Sequence, residues 1–134
     1  MPKIILQTVV FKNTTPETLY DIYMDSKKHS KATGGQAKIS TKIGSSYSAW
    51  DGYINGTTFQ LIKDKMIVQS WRSGDFKHGD LDSTFILQFE GKGKDTTVHM
   101  VHANVPDHAF AGIKKGWNDY YWKPWKKYLN SPQP

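Results

Sequence analysis

Histidine is the side chain of this sequence best suited to acid–base chemistry or metal binding near neutral pH, and the chain holds five. His99 and His102 stand three residues apart, a spacing that on a helix would suit one metal ion. The surrounding sequence is typical of a β-strand, in which an odd separation puts two side chains on opposite faces. We therefore expect no metal site at this pair, and no thiolate site either, because the chain has no cysteine.

His102 is a candidate in its own right, because the strand pattern predicts that it points into the interior with Met100 and Asn104. Buried, it needs a hydrogen-bond partner, and it would be a structural residue, a polar anchor for a ligand or a general base. Arg72, the single arginine, would bind a ligand carboxylate or pair with a loop aspartate. We favour the structural interpretation for both. The loop aspartates are Asp75, Asp80 and Asp82.

The sequence lacks the motifs of the common enzyme classes: there is no H-E-x-x-H, no nucleophile elbow and no phosphate-binding loop. The aspartates of the loop do not follow the calcium-loop pattern. We therefore assign no catalytic residue, no metal and no cofactor. We favour a binding protein over an enzyme.

Large aromatic residues are the more informative group, with five tryptophans and seven tyrosines. Such side chains fill a core or line an apolar cavity, and the sequence leaves both interpretations open. Trp122 and Trp125 lie off the centre of the apolar stripe, so we expect them to be partly exposed and to mark a homodimer or partner surface. The candidates for lining a cavity are Trp50, Phe59, Trp71, Phe85, Leu87, Met100, His102, Trp117 and Tyr121, with Arg72 as a polar anchor.

The net charge of +6 suggests nucleic acid, but the composition argues against that partner. Of the 18 basic residues 17 are lysines, whereas arginine is the usual reader of bases and phosphate pairs. No apolar run approaches the roughly 20 residues that a membrane helix needs. The first residues lack the apolar stretch of a signal peptide, so we expect a cytoplasmic protein that binds neither nucleic acid nor membrane.

The elements that position these side chains follow from the apolar periodicity. The pattern predicts a strand over 3–12, a helix from Pro16 to about Met24 capped by a threonine, and a short helix over 26–32 that ends before Gly34. Six further strands are expected over 37–42, 44–51, 54–62, 65–72, 82–90 and 95–105. Their short connections favour an antiparallel sheet.

The last predicted element is an amphipathic helix over 107–129, in which Pro124 should cause a kink or an early stop. One such helix cannot bury its apolar stripe alone, so a curved antiparallel sheet closing round it is the economical α+β arrangement. The predicted stripe consists of Phe110, Ile113, Trp117, Tyr121 and Tyr128.

Four segments, in this order, resemble a known family. They are YDIYMDSKKHS with Thr33 and Gly34 at 20–34, GSSYSAWDGYING at 44–56, IVQSWR at 67–72, and Val105-Pro106 with Gly116-Trp117 and YYW at 120–122. The chain resembles the helix-grip, START-like superfamily, and within it the domain shared by activators of the heat-shock protein 90 ATPase and their bacterial homologues. The resemblance implies a curved sheet wrapped around a long C-terminal helix, with two short helices after the first strand.

The resemblance spans almost the whole chain, so we expect one domain over 1–130 and a disordered tail over 131–134, with no companion domain. It implies three functions: a non-enzymatic module that holds a hydrophobic small molecule between sheet and helix, a co-chaperone that stimulates a heat-shock protein 90 family ATPase, and a small cyclase- or hydrolase-like enzyme. Eukaryotic activators carry this domain behind a further N-terminal domain that makes much of the chaperone contact, so ligand binding is the first expectation.

Overall fold

The computed structural model describes residues 1–131. Strand β1 (Lys3–Phe11) leads into α1 (Pro16–Met24) and α2 (Ser26–Thr33). Thr15 caps α1 by accepting a hydrogen bond from the Thr18 N–H, and Pro16 occupies the first turn, where its missing N–H costs nothing. Gly34 ends α2 in the left-handed conformation, with φ of 93°. These boundaries confirm the predicted helix pair.

Five strands follow the helices and complete one antiparallel sheet in the order β1-β6-β5-β4-β3-β2. The N-terminal strand therefore pairs with the last one. The strands are β2 (Ser46–Ala49), β3 (Ile54–Ile62), β4 (Met66–Ser73), β5 (Ser83–Lys92) and β6 (Asp95–Val105). The curved antiparallel sheet and the long C-terminal helix confirm the helix-grip α+β fold.

The predicted strand over 37–42 is wrong except for one isolated bridge between Lys38 and Ser48. Side chains of α2 take the neighbouring backbone hydrogen bonds instead. The Ser26 hydroxyl donates to the Ile39 carbonyl and accepts from the Ile39 N–H, and the Ala37 N–H donates to the Ser30 hydroxyl. Local serine bonding therefore replaces sheet pairing in this segment.

The C-terminal helical segment covers residues 107–129 and changes hydrogen-bond pattern along its length. A 3₁₀ turn (Asp107–Ala109) precedes α3 (Phe110–Trp117), a π-helical turn (Asn118–Trp122) and α4 (Lys123–Leu129). The Lys123 N–H donates to the Asn118 carbonyl, and Pro124 follows in the first turn of α4. The helix thus passes through Pro124 without stopping, and the predicted irregularity falls in the wider turn before it.

The two faces of the sheet differ in what they cover. The inner face packs on the helices and carries the core, whereas β1 turns Ile4, Leu6, Thr8 and Val10 outward together, as the period-two pattern predicts. Leu6 opens a cross-strand row that we call the outer row: Leu6, Val101, Ile86 and Val68. Leu6 is 67% exposed, so apolar side chains cross the outside of the sheet over four strands.

Of the predicted tail over 131–134, residues 132–134 lie outside the described residues. Ser131 lies within them, and its N–H donates to the Tyr128 carbonyl at 3.2 Å.

Candidate functional site

A pocket of about 350 Å³ lies between the sheet and the C-terminal helix and opens on one side to solvent. Half of its lining residues are aromatic, and we call it the aromatic pocket. Strands β3 and β4 with their flanking loops form one wall, and α3 with the π turn forms the other. The lining residues are Trp50, Tyr53, Ile54, Trp71, Ser73, Asp75, Gly112, Ile113, Gly116, Trp117, Tyr120 and Tyr121.

Trp50 is held in the pocket by an unusual local backbone. Its φ of 52° lies in the left-handed region, which a bulky side chain rarely adopts. The ring packs so closely on Gly35 that a Cβ there would lie 2.5 Å from Trp50 Cε3. Glycine at position 35 is therefore required for the observed position of the indole. Its Nε1 makes no well-formed hydrogen bond. Burial raises the pKa of the Tyr121 hydroxyl, and the Trp50 indole opposes this rise.

Three exposed residues form the mouth of the pocket. The Tyr53 hydroxyl donates a short hydrogen bond to Asp75 Oδ2. Burial, followed by this bond, raises the pKa of Tyr53, so the phenol stays neutral at physiological pH. Across the mouth, the ring of Tyr120 lies edge-on to Trp50 with centroids 5.4 Å apart. The mouth thus offers aromatic rings and a carboxylate side by side.

Behind the pocket wall lies His102, fully buried and fully hydrogen-bonded. Trp117 Nε1 donates to its Nδ1 at 2.9 Å, which fixes the proton on Nε2. Nε2 then donates to the Ser83 hydroxyl at 2.8 Å, and Ser83 donates to the Trp71 carbonyl at 2.7 Å. Burial lowers the pKa of His102 to about 3. His102 is therefore neutral, and its nitrogens hold two walls of the pocket in place.

A second buried histidine supports the helical wall of the pocket at Tyr121. His29 Nδ1 donates to the Tyr23 carbonyl at 2.8 Å, so its Nε2 accepts from the Tyr121 hydroxyl at 3.2 Å. Burial lowers the pKa of His29 to about 4, which the bond to the Tyr23 carbonyl partly opposes. The hydroxyl of Tyr23 in turn donates to Gln69 Oε1 at 2.8 Å. Hydrogen bonds thus connect Tyr121 through His29 to the backbone of Tyr23, whose side chain bonds Gln69 on β4.

Of the nine predicted lining candidates, Trp50, Trp71, Trp117 and Tyr121 meet at the aromatic pocket. Four others, Phe85, Leu87, Met100 and His102, are buried in the core behind it.

Phe59 is the one candidate placed wrongly by the sequence, because it is 50% exposed on the outside of the sheet. A β-bulge between Thr58 and Gln60 breaks the alternation, and Thr58 takes the inward position with a hydrogen bond from Gln69. No single-residue pattern announces this bulge.

Arg72 lies in β4, near its end, and is absent from the pocket lining. Its guanidinium pairs with Asp82 at 3.2 Å and donates to the carbonyls of Lys77 and Asp80. This confirms the predicted pairing with a loop aspartate. His99 is likewise on the opposite face from His102, bonded to Glu90 at 3.0 Å.

The prediction for Trp122 and Trp125 is wrong, because they are 2% and 0% exposed. A uniform 100° per residue places both off the apolar stripe, but the π turn adds a residue and rotates the last turns inward. Trp122 Nε1 donates to Gln7 Oε1 at 2.8 Å. Because both tryptophans are buried, they cannot form the homodimer surface that was predicted from them.

The sequence missed eight lining residues, which lie at the mouth, on the strands and on the helix: Tyr53, Ile54, Ser73, Asp75, Gly112, Ile113, Gly116 and Tyr120. Tyr53 and Asp75 come from loops whose fold depends on distant strands. Only the helical spacing of Gly112 and Gly116 with Ile113 and Tyr120 therefore offered a signal. Within residues 1–131 no three metal-ligating side chains come together. No helix of that described part is long and apolar enough to span a bilayer.

Comparison with known proteins places these features in context. A family model described as Activator of Hsp90 ATPase homolog 1-like protein matches residues 13–130. The human "Activator of 90 kDa heat shock protein ATPase homolog 1" is 26% identical over 110 residues, which are 82% of this chain and 32% of that protein. The chain thus spans about a third of the length of the curated relatives it matches.

Solved structures share the fold. A structure described as an HSP90 activator from Plasmodium falciparum superposes with a TM-score of 0.87 at 23% identity, covering 98% of this chain and 99% of that one. The Aha1 dimer from Colwellia psychrerythraea superposes with a TM-score of 0.75 at 17% identity, covering 90% of this chain and 92% of that one.

Proposed function

The chain belongs to the Activator of Hsp90 ATPase homolog 1-like family, and on that premise we propose that it binds a hydrophobic small molecule in the aromatic pocket. The observation that carries the proposal is the pocket itself: about 350 Å³, lined by six aromatic side chains. Small-molecule sites generally measure about 300–1,000 Å³ and combine apolar walls with a few polar groups. The lining polar groups here are Ser73, Asp75 and the tyrosine hydroxyls.

The two buried histidines support ligand binding because their hydrogen bonds make the pocket walls rigid. His102 bonds the Trp117 indole directly and is linked through Ser83 to the Trp71 backbone carbonyl. His29 bonds the Tyr121 hydroxyl, so those walls are formed before any ligand arrives. A pre-formed site loses less conformational entropy on binding than one that must be ordered.

Native mass spectrometry of protein purified from its own host tests the proposal directly, since a retained small molecule appears as added mass. A matched variant then locates it. Gly116→Leu should abolish the added mass and the binding of a hydrophobic fluorescent dye, because a Cβ at Gly116 would already lie 3.5 Å from Tyr120 Cδ2 at the pocket wall. Leucine also suits a helix better than glycine by about 0.5–1 kcal/mol, so the fold should persist.

Ala111→Leu is the control, because Ala111 is an exposed residue of the same helix and is absent from the pocket lining. It should leave dye binding unchanged. If wild-type protein carries no small molecule and binds the dye equally well after Gly116→Leu, the proposed function is wrong.

A second candidate function is stimulation of a heat-shock protein 90 family ATPase, favoured by the names of the relatives. An interaction of that kind needs an exposed surface, and the outer row with its exposed neighbours Ile4 and Val10 provides an apolar one. The predicted homodimer would use the same kind of surface.

Leu6→Glu tests the second candidate. If the outer row contacts the chaperone, placing a charge at its most exposed member should reduce the stimulated ATP turnover about tenfold, since a charge in an apolar contact must be desolvated. Leu81→Glu is the control, because Leu81 is 77% exposed in a loop outside the sheet. Equal stimulation by both variants would exclude the outer row, and no stimulation by wild-type protein would exclude the function.

The enzyme alternative has less support from the pocket. An active site needs titratable groups that converge on one point. In the described lining Asp75 is the carboxylate, and it already bonds Tyr53, while both nitrogens of His102 are engaged behind the wall. The alternative stays a prediction, which a screen for turnover of bound molecules would test.

A further inference from the structure

The charge and the rings of the aromatic pocket indicate a particular ligand chemistry. We propose that the pocket binds an organic cation: an apolar body that carries one ammonium group, protonated or quaternary. This inference rests on the small-molecule binding proposed above and adds the chemical class of the ligand.

The local charge of the pocket favours a cation. The protein carries a net charge of +6, yet none of its 18 lysine and arginine residues lines the pocket as described. Asp75 is the charged member of the described lining, and it lies at the mouth. The sign of the charge at this site is thus the reverse of that of the whole molecule, and an anionic ligand would meet no basic partner there.

The arrangement of the aromatic rings also suits a cation. An aromatic face is negative, and a cation within about 6 Å of its centroid is attracted by up to about 2 kcal/mol when desolvated. Trp50 and Tyr120 meet edge-on at 5.4 Å at the mouth, while Trp71 and Trp117 lie deeper with centroids 6.4 Å apart. Several rings around one space, with a carboxylate beside them, form the kind of cage that recognises ammonium groups.

The polar groups of the mouth are partly engaged with one another. The Tyr53 hydroxyl donates to Asp75 Oδ2, which leaves the other lone pairs of that carboxylate available to a cation. Burial raises the pKa of Tyr121 and that of Tyr53, so the cage stays a set of neutral rings with one fixed negative charge. The apolar floor at Ile113 and Ile54 suits the uncharged body of the ligand.

The test compares two probes of the same shape. Phenyltrimethylammonium and its carbon isostere tert-butylbenzene differ in charge, and their binding to the full chain is measured by tryptophan fluorescence and calorimetry. We expect the cation to bind about tenfold more tightly. Asp75→Asn should weaken cation binding about fivefold and leave the isostere unchanged, since the amide oxygen still accepts from Tyr53.

Two further variants sharpen the comparison. Asp119→Asn removes the same charge from the helix outside the aromatic pocket and should leave both affinities unchanged. Tyr120→Leu removes an exposed ring at the mouth and should weaken the cation more than the isostere.

The outcomes separate the two proposals. If the isostere binds as tightly as the cation, and Gly116→Leu blocks it, the cation inference is overturned while small-molecule binding stands. If neither probe nor the hydrophobic dye binds, both proposals are wrong. The inference is also overturned if Asp119→Asn abolishes the tenfold preference for the cation as fully as Asp75→Asn does. The preference would then come from the electrostatic field of the whole protein and not from the pocket.

Discussion

Trp117→Ala should lower the free energy of unfolding by about 3–5 kcal/mol, the usual cost of removing a large aromatic side chain from a core. Trp117 is 2% exposed and packs on Phe85, with ring centroids 5.4 Å apart. The change also leaves His102 Nδ1 buried without its donor, which adds a desolvation cost. Urea denaturation followed by circular dichroism measures the loss.

Trp117→Phe separates the two contributions. It keeps most of the buried ring and removes the indole N–H, so we expect a loss of about 1–3 kcal/mol from the unpaired His102 nitrogen. Tyr120→Ala is the control for a ring that is 57% exposed, and it should cost far less. A loss below about 1 kcal/mol for Trp117→Ala would show that the wall is not part of the core.

The same variant should also change the aromatic pocket, because Trp117 is part of the lining. Its removal enlarges the space, so the affinity for a hydrophobic dye should change along with the stability. Trp117 thus belongs to both the core and the pocket: one side of its ring packs in the core and stabilises the fold, and the other side lines the pocket.

Acidification should destabilise the protein by about 4 kcal/mol between pH 7.5 and pH 5. Burial lowers the pKa of His102 to about 3 and that of His29 to about 4. Unfolded histidine titrates near 6.5, so below that pH the unfolded chain binds more protons than the folded one. Stability is therefore full above about pH 6.5 and is lost as pH falls toward the folded values, by about 1.4 kcal/mol per unit for each histidine.

Unfolding free energies measured by urea at several pH values test this slope. His102→Gln should halve the dependence of the unfolding free energy on pH. If that variant fails to fold, His29→Gln serves in its place and should have the same effect. His78→Gln, in the exposed loop, should leave it unchanged. Paired carboxylates do not mask the effect, because Asp80, Glu90 and Asp95 have pKa values held below their ordinary 3.8, 4.5 and 3.8 by hydrogen bonds. A pH-independent stability over this range would contradict the prediction.

Local chemistry explains why most of the fold could be predicted. The Thr15 cap, the Gly34 stop and the apolar alternation of β5 act over a few residues, so the sequence indicates them directly. The inward direction of His102 follows from the same alternation. Its partners do not, because Ser83 and Trp117 lie on other elements and meet it only when the sheet and helix pack.

The errors at Phe59 and at the two last tryptophans share one physical origin, a single residue added to a regular element. The bulge at Thr58 and Gln60 sends Phe59 outward, and the π turn at Asn118–Trp122 brings Trp122 and Trp125 inward. Each added residue changes which face of the element the neighbouring side chains occupy. Neither addition can be recognised from composition or periodicity. The mouth of the pocket was missed for a different reason: Tyr53 and Asp75 come together through a loop geometry that the strands impose.

The pairing of β1 with β6 has a consequence for the order in which the chain is made. Within this pair the partners closest in sequence are Phe11 and Thr96, and Lys3 pairs with Val105. No residue of β1 can meet its partner until the ribosome has released residue 96, whereas the hairpins from β2 to β6 join neighbours in sequence. Closing so long a loop carries an entropic cost, so the first strand of the sheet in sequence must wait unpaired until β6 has been synthesised.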